Sequence, residues 1–343
     1  MRSLALALCA LALSGCPDPA PDVPFDDMEP WLDGPTLSEE VVLDLPACEG
    51  SVLASFAPEA VDPPAPGSDG WLPPEPDTLS GVQSSYLTLL QGDGMLAVAQ
   101  VAVVGYALCR GEGDEDDLVL WRPSFPGTGR AQFAWRYRDA RPVIIEAPHA
   151  FADQGGPASE LAAFDAARGR ALIAAGAHPC ANPEPAGCGT ESTMCDGAAG
   201  ADPLMNEGSV FHLAHELFSE DWPEDWIVSL QAMSDSGAAL SNGTYDFVRD
   251  GSVEALLGAE LLAELHDTNV TSCNGLPGAD PGRRFCGTGG LQARHSNGSS
   301  DVCEETPEAA SGRWMQVARS PAVRARHSVA ADALVRALDA AGR

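Results

Sequence analysis

The spacing of apolar and polar residues changes several times along the chain. Leu4–Leu13 is uncharged and apolar throughout, and at about ten residues it is too short to cross a bilayer. After Cys16 the chain reads PDPAPDVPFDDMEPWLDGP, apolar residues scattered among prolines and carboxylates. Proline blocks regular hydrogen bonding and the carboxylates repel one another, so an extended tether is expected. Helical spacing follows over Leu79–Leu90 and over the largely apolar Met95–Leu108. Asp117–Arg122 and Ala131–Arg136 read as a hairpin joined by a loop containing Pro126-Gly127-Thr128-Gly129.

After Pro142 the pattern becomes an alternation. Val143-Ile144-Ile145 is a β-branched run suited to a buried strand. Pro157–Arg168 carries Leu161, Phe164 and Ala167 at helical spacing, and Ala171–Ala175 is a second buried strand. Together they predict a βαβ unit with parallel strands. A helix over Gly208–Phe218, a strand over Trp226–Leu230 and an amphipathic helix over Val253–Leu265 continue the series. Weaker strands are expected at Leu291–Arg294 and Arg313–Val317. A last helix begins at Ser320-Pro321 and stops at Gly342. The fold class expected is α/β, three-layer, with a mainly parallel sheet.

Composition narrows the setting. The chain has 343 residues and a formal charge of -31, with arginine as its only strongly basic residue type. No basic side chain lies between Arg2 and Arg110. So acidic a surface disfavours nucleic acid and anionic headgroups. Cys9 lies in the apolar leader. Beyond Cys16 stand Cys48, Cys109, Cys180, Cys188, Cys195, Cys273, Cys286 and Cys303, an even set that reads as disulfides stapling long loops in an exported protein. Short-range pairing within Cys180–Cys195 and Cys273–Cys303 is expected, although connectivity does not follow from spacing. A thiolate zinc site is the competing reading, and the C-x2-C spacing of zinc knuckles is absent.

Leu13-Ser14-Gly15-Cys16 resembles the lipobox of bacterial lipoproteins. The resemblance implies cleavage before Cys16, lipidation of that thiol and a membrane-anchored envelope protein. Several acyl chains anchor stably where one would not. Pro17 follows the cysteine, whereas the familiar inner-membrane retention signal is aspartate, so the outer membrane is favoured. The organisation expected is a signal peptide over 1–15, a tether over 16–45 and a single α/β domain over 46–343. Within it, 46–140 forms an N-terminal portion and 141–343 the core.

Candidate chemistry sits where ligands bind in parallel α/β sheets, beyond the carboxyl ends of the strands. One expected strand runs into His149, with Asp153 and Glu160 close behind, and the next runs into His178. Two imidazoles on neighbouring strand ends with a carboxylate are a plausible zinc site for hydrolysis. His212, His215 and Glu216 share one face of a helix and form a second, weaker metal candidate, with a polar helix face as the alternative. His266, His295 and His327 receive no role. Neither a G-x-S-x-G elbow, a P-loop nor a G-x-G-x-x-G run is present.

The segments EAPHAFADQGG, AGAHPCAN and SNGT and the terminal GRW strand resemble a group of exported bacterial proteins. That group is similar to the zinc carboxypeptidase, poly-γ-glutamate hydrolase and N-formylglutamate amidohydrolase families. The resemblance implies a phosphorylase/hydrolase-like fold and metal-dependent cleavage of peptide or amide bonds. His149 and His178 would be metal or substrate ligands, with Asp153 or Glu160 as ligand or orienting partner. The chain departs from the pattern at Gln231 and Met205, where histidines are expected, and at Ala318, where the glutamate base would stand. Two expectations result: an envelope amide or peptide hydrolase, or a tethered binding protein for peptides or N-acyl amino acids that keeps the hydrolase shape.

Overall fold

The computed structural model describes residues 34–152, 157–185, 187–188, 195, 200, 201–265, 269–273 and 285–342. These lie in one compact unit. The chain enters it earlier than the tether expectation places it. Leu37, Val42 and Leu45 are buried, and helix α1 (Glu39–Leu43) is capped by the Ser38 hydroxyl. Helix α2 (Pro58–Val61) is short. Helices α3 (Pro76–Leu90) and α4 (Gly94–Val103) then pack on each other.

The apolar stretch read as helix to Leu108 breaks at Gly105, whose positive φ of +77° turns the chain. Strand β1 (Tyr106–Arg110) follows, and β2 (Leu118–Pro123) and β3 (Gln132–Arg136) complete an antiparallel meander. The β2–β3 hairpin is as expected. The βαβ unit is also present: β4 (Arg141–Ala147), α5 (Ala158–Ala167) and β5 (Gly169–Ala174), with β4 and β5 parallel.

Helix α6 (Val210–Asp221) leads to β6 (Trp226–Ala232), which pairs parallel with β4. Strand β7 (Ala238–Ser241), helix α7 (Val253–Glu264) and strand β8 (Val270–Ser272) follow. The segment from Leu291, expected as a strand, is helix α8 (Leu291–Ser296). Its Gln, Ala and Arg are good helix formers, and the turn over Gly287–Gly290 starts it. Strand β9 (Trp314–Arg319) pairs parallel with β6. The terminal helix is split into α9 (Pro321–Arg324), capped by the Ser320 hydroxyl, and α10 (His327–Ala340).

The nine strands of the described residues join one mixed sheet, ordered β1-β2-β3-β5-β4-β6-β9-β7-β8. The block β5-β4-β6-β9 is parallel. The meander attaches antiparallel through β3, and the parallel pair β7–β8 attaches antiparallel to β9. The strands β7 and β8 carry small and polar residues in runs too short to give a period of two, so they were not anticipated.

Because successive strand residues face opposite sides, β4 divides its side chains between two cores. Val143, Ile145 and Ala147 pack with residues of α5, α7 and α10. Ile144 packs with residues of α3, α4 and α6 in a core that contains Trp121, Phe133, Trp135 and Phe218. Burying a side chain such as Phe218 contributes about 1.5–3 kcal/mol.

Four disulfides staple this body: Cys48–Cys109, Cys180–Cys195, Cys188–Cys303 and Cys273–Cys286. Two fall within the short-range windows expected from the sequence. The other two join distant segments. No helix among the described residues is long and apolar enough to cross a membrane.

Candidate functional site at the strand ends and on helix α6

Strands β4 and β5 deliver their histidines side by side. His149 follows the end of β4 and is buried, and its Nε2 lies 3.0 Å from Asp202 Oδ1. Asp202 Oδ1 also accepts the Leu204 N–H at 3.0 Å, which fixes the carboxylate. With a carboxylate as acceptor, the network assigns the Nε2 proton to His149. His178 is half-buried beyond β5, and its Nδ1 accepts the Cys180 N–H at 3.1 Å. Burial and then the nearby His149 lower the His178 pKa, against the pull of Asp202. Neutral His178 with Nδ1 occupied as an acceptor carries its proton on Nε2.

The other strand-end candidates fare differently. Asp153 lies outside the described residues. Glu160 is buried on α5 and ion-paired with Arg319 at the end of β9, so its carboxylate already has a cationic partner. Gln231 and Ala318 are register partners on β6 and β9. The Gln231 amide donates to Ser229 Oγ at 3.3 Å, and Ala318 sits in an apolar cluster with Met233 and Ala239.

The second cluster is larger than the sequence indicated. The Ser209 hydroxyl caps α6, accepting the His212 N–H at 3.1 Å. One turn on, His215 Nδ1 meets Glu146 Oε1, which points from β4 toward this helix. His215 Nε2 lies 3.2 Å from His295 Nδ1 and 3.3 Å from Ser296 Oγ, both on α8. His212 Nε2 faces Glu216 Oε1 at 3.4 Å, and the Gln292 amide approaches His212 Nδ1 at 3.4 Å. The three imidazole rings lie with centroids 5.1–6.1 Å apart.

Burial pushes Glu146 up to about 8 and holds His215 well below its ordinary value. His295 is lowered to about 4, first by burial and then by the neighbouring histidines. Glu216 is lowered, chiefly by its hydrogen bond with His212.

Glu146, His215 and Ser296 stand in the order of an acid, base and hydroxyl relay. Nucleophilic catalysis also needs donors for an oxyanion. Ser296 ends α8, where carbonyls converge. The following N–H groups of Asn297, Gly298 and Ser299 are bonded back to Ala293, His295 and Arg294. The network joins α6 and α8 to each other and, through Glu146, to the sheet.

Zinc was the cofactor expected, and the donor set tests it. A zinc-ligating histidine normally binds through one nitrogen and donates its other N–H to a carboxylate or carbonyl. His149 with Asp202 fits that pattern, whereas His178, with an N–H donated to its Nδ1, does not. Among the described residues the one group of three close ligand atoms is Cys188, Glu207 and Cys303. Its two sulfurs are bonded to each other and offer no thiolate. The described residues do not assemble a three-ligand zinc site.

Sequence reasoning missed Glu146, Asp202, His295 and Ser296. Glu146 had a signal, as the one carboxylate in an apolar strand run. His295 and Ser296 were hidden by reading α8 as a strand. Asp202 sits in a loop without periodicity. No protein-family model matches the chain, and a search of curated proteins finds no match.

Proposed function

We propose that the chain is an exported lipoprotein, anchored through Cys16 and favouring the outer membrane. Its domain would keep the three-layer, phosphorylase/hydrolase-like plan of the amide hydrolases it resembles. On this reading it binds a small amide ligand, a peptide or an N-acyl amino acid, at His149, His178 and Asp202, and does not cleave it. Four disulfides and the Leu-Ser-Gly-Cys sequence support export.

The observation that carries the reading is the fixing of the two strand-end imidazoles by different hydrogen bonds. His178 presents an N–H donor suited to a ligand carbonyl. His149, oriented by Asp202, presents an imidazole held in one tautomer. Binding is favoured over cleavage because Gln231 and Ala318 supply no base and Glu160 is committed to Arg319.

The test combines metal analysis, calorimetry and a hydrolysis screen on the purified, oxidatively folded protein beside a His149→Ala, His178→Ala variant. Expected are saturable binding of a dipeptide or N-acyl amino acid, its loss in the variant, no stoichiometric zinc and no turnover. Zinc near one per chain together with amide cleavage would replace the binding reading with a hydrolase. Acyl labelling of the full precursor, abolished by Cys16→Ser, tests the anchor separately.

A further inference from the structure

We propose that the cavity at the turn end of the β2–β3 hairpin is a second binding site, for a small organic carboxylate held by Arg122 and Arg130. The argument begins from charge. In a chain of net charge -31 whose basic residues, nineteen in all, are arginines, a nearby carboxylate is easy to find. Three interior arginines have one, Arg136 with Asp117, Arg170 with Asp225 and Arg319 with Glu160, while Arg294 is held by the carbonyls of Thr288, Val302 and Cys303. The Arg122 side chain makes no hydrogen bond or ion pair among the described residues, although its backbone pairs with Ala107 in the sheet. Arg130 donates only to the Val104 carbonyl, at 3.2 Å. Both residues are half-buried and line the same cavity.

That cavity has a volume of about 240 Å³, against about 20–30 Å³ for three others in the described residues. It holds a ligand of several non-hydrogen atoms, more than one water or one simple ion requires. Its inner wall is polar and already ordered: the Gln132 amide donates to the Ser55 carbonyl at 3.1 Å. At its mouth Phe125 is 71% exposed, an aromatic face for the apolar part of a ligand. Two planar guanidinium forks lining one cavity match a carboxylate through charge-assisted hydrogen bonds. Glu49 on the rim repels dianions and so favours a monoanionic carboxylate over phosphate. The site does not involve His149 or His178, and it stands or falls without the function proposed above.

The test measures binding of propionate, succinate, propionamide and inorganic phosphate to the purified protein by calorimetry. The comparison proteins are Arg122→Gln, Arg130→Gln and the His149→Ala, His178→Ala variant. Propionate should bind saturably and more tightly than dianionic succinate, weaken tenfold or more in each arginine variant, weaken with added salt, and be unchanged in the histidine variant. Propionamide should not bind. Arg122→Gln should unfold at the wild-type temperature, because the Arg122 side chain has no hydrogen-bonding or ionic partner to lose, so lost binding there is not lost folding. Absence of saturable carboxylate binding, or equal binding by Arg122→Gln, overturns the site. Phosphate or succinate binding as tightly as propionate overturns the assignment of its ligand.

Discussion

His215 Nδ1 stands 2.6 Å from Glu146 Oε1, and neither side chain has any exposed surface. A strand in the middle of the sheet is thereby bonded to the helix that covers it through two titratable groups without access to water. Such a pair is costly to break from one side, because the survivor is left buried without a partner. Glu146→Ala should therefore destabilise the fold by about 3–5 kcal/mol, and Glu146→Gln, which keeps shape and polarity, by about 1–3 kcal/mol. Urea unfolding of the oxidised protein measures both. A loss below about 1 kcal/mol for Glu146→Ala would show that the bond is incidental.

The same groups set a pH dependence. Folded, the pair keeps one proton until pH rises through about 8, since Glu146 is raised to that value and His215 is lowered. Unfolded, it also carries one proton between about 4.5 and 6.5, now on the histidine, and none above. The pair's contribution is thus level in that interval and lost as pH rises from 6.5 toward 8. Glu254, raised to about 8 by burial, contributes fully below about 4.5 and less as pH rises through 8. His295 runs the other way: its contribution is complete above 6.5 and lost as pH falls through about 4. Unfolding free energy should therefore fall between pH 6.5 and 8 by up to about 2.7 kcal/mol per pH unit, two protons' worth. Glu254→Gln should halve that slope. Denaturant titrations across the interval check it, and a flat profile contradicts the protonation states described.

Glu160 offers a contrast between structure and site. Its removal strands Arg319 in the interior, so Glu160→Ala should cost about 3–5 kcal/mol. Ligand affinity at His149 and His178, measured well below the unfolding transition, should not change. An affinity loss in the milder Glu160→Gln, with stability retained, would return Glu160 to the site.

The Cys188–Cys303 bond ties the loop carrying Asp202 and Asn206 to the segment after α8. The loop is held further by Asn206 Nδ2 donating to Gly200 O at 2.8 Å and Gln292 Nε2 to Pro203 O at 3.0 Å. The double Cys→Ser variant at 188 and 303 should lose about 2–5 kcal/mol of stability. It should also exchange backbone protons faster over 200–206 and bind strand-end ligands more weakly. Removing Cys48–Cys109 should lower stability alone. Hydrogen exchange followed by mass spectrometry distinguishes the two, and unchanged protection over 200–206 counts against loop fixation.

Elements with a strong period were legible in the sequence: the β2–β3 hairpin, the β4–α5–β5 unit and α6 all appear where apolar spacing places them. Legibility failed where tertiary contacts outweigh local pattern. Leu291–Ser296 is too short for its period to separate helix from strand, and its conformation is fixed by docking on Leu204 and Pro203. Strands β7 and β8 exist because β9 offers an edge to pair with. For the site, strand ends correctly pointed to His149 and His178 as neighbours. Asp202 lies 53 residues beyond His149, and nothing local in the sequence links them. Arg122 and Arg130 were invisible as a pair because only the folded hairpin shows that neither has a carboxylate.

The Cys188–Cys303 bond also changes what kind of object a protease would meet. It closes 115 residues of sequence into a loop containing α6, β6, β7, α7, β8 and α8. A cut anywhere inside that loop opens a ring without releasing a fragment, and the parallel partners of β6 on both sides stay attached to it. Nicked protein would migrate as one species until reduced, and its strand-end histidines would still be presented by an intact sheet. In an environment rich in proteases, damage to the exposed segments of this region would be survivable so long as the crosslink remains oxidised.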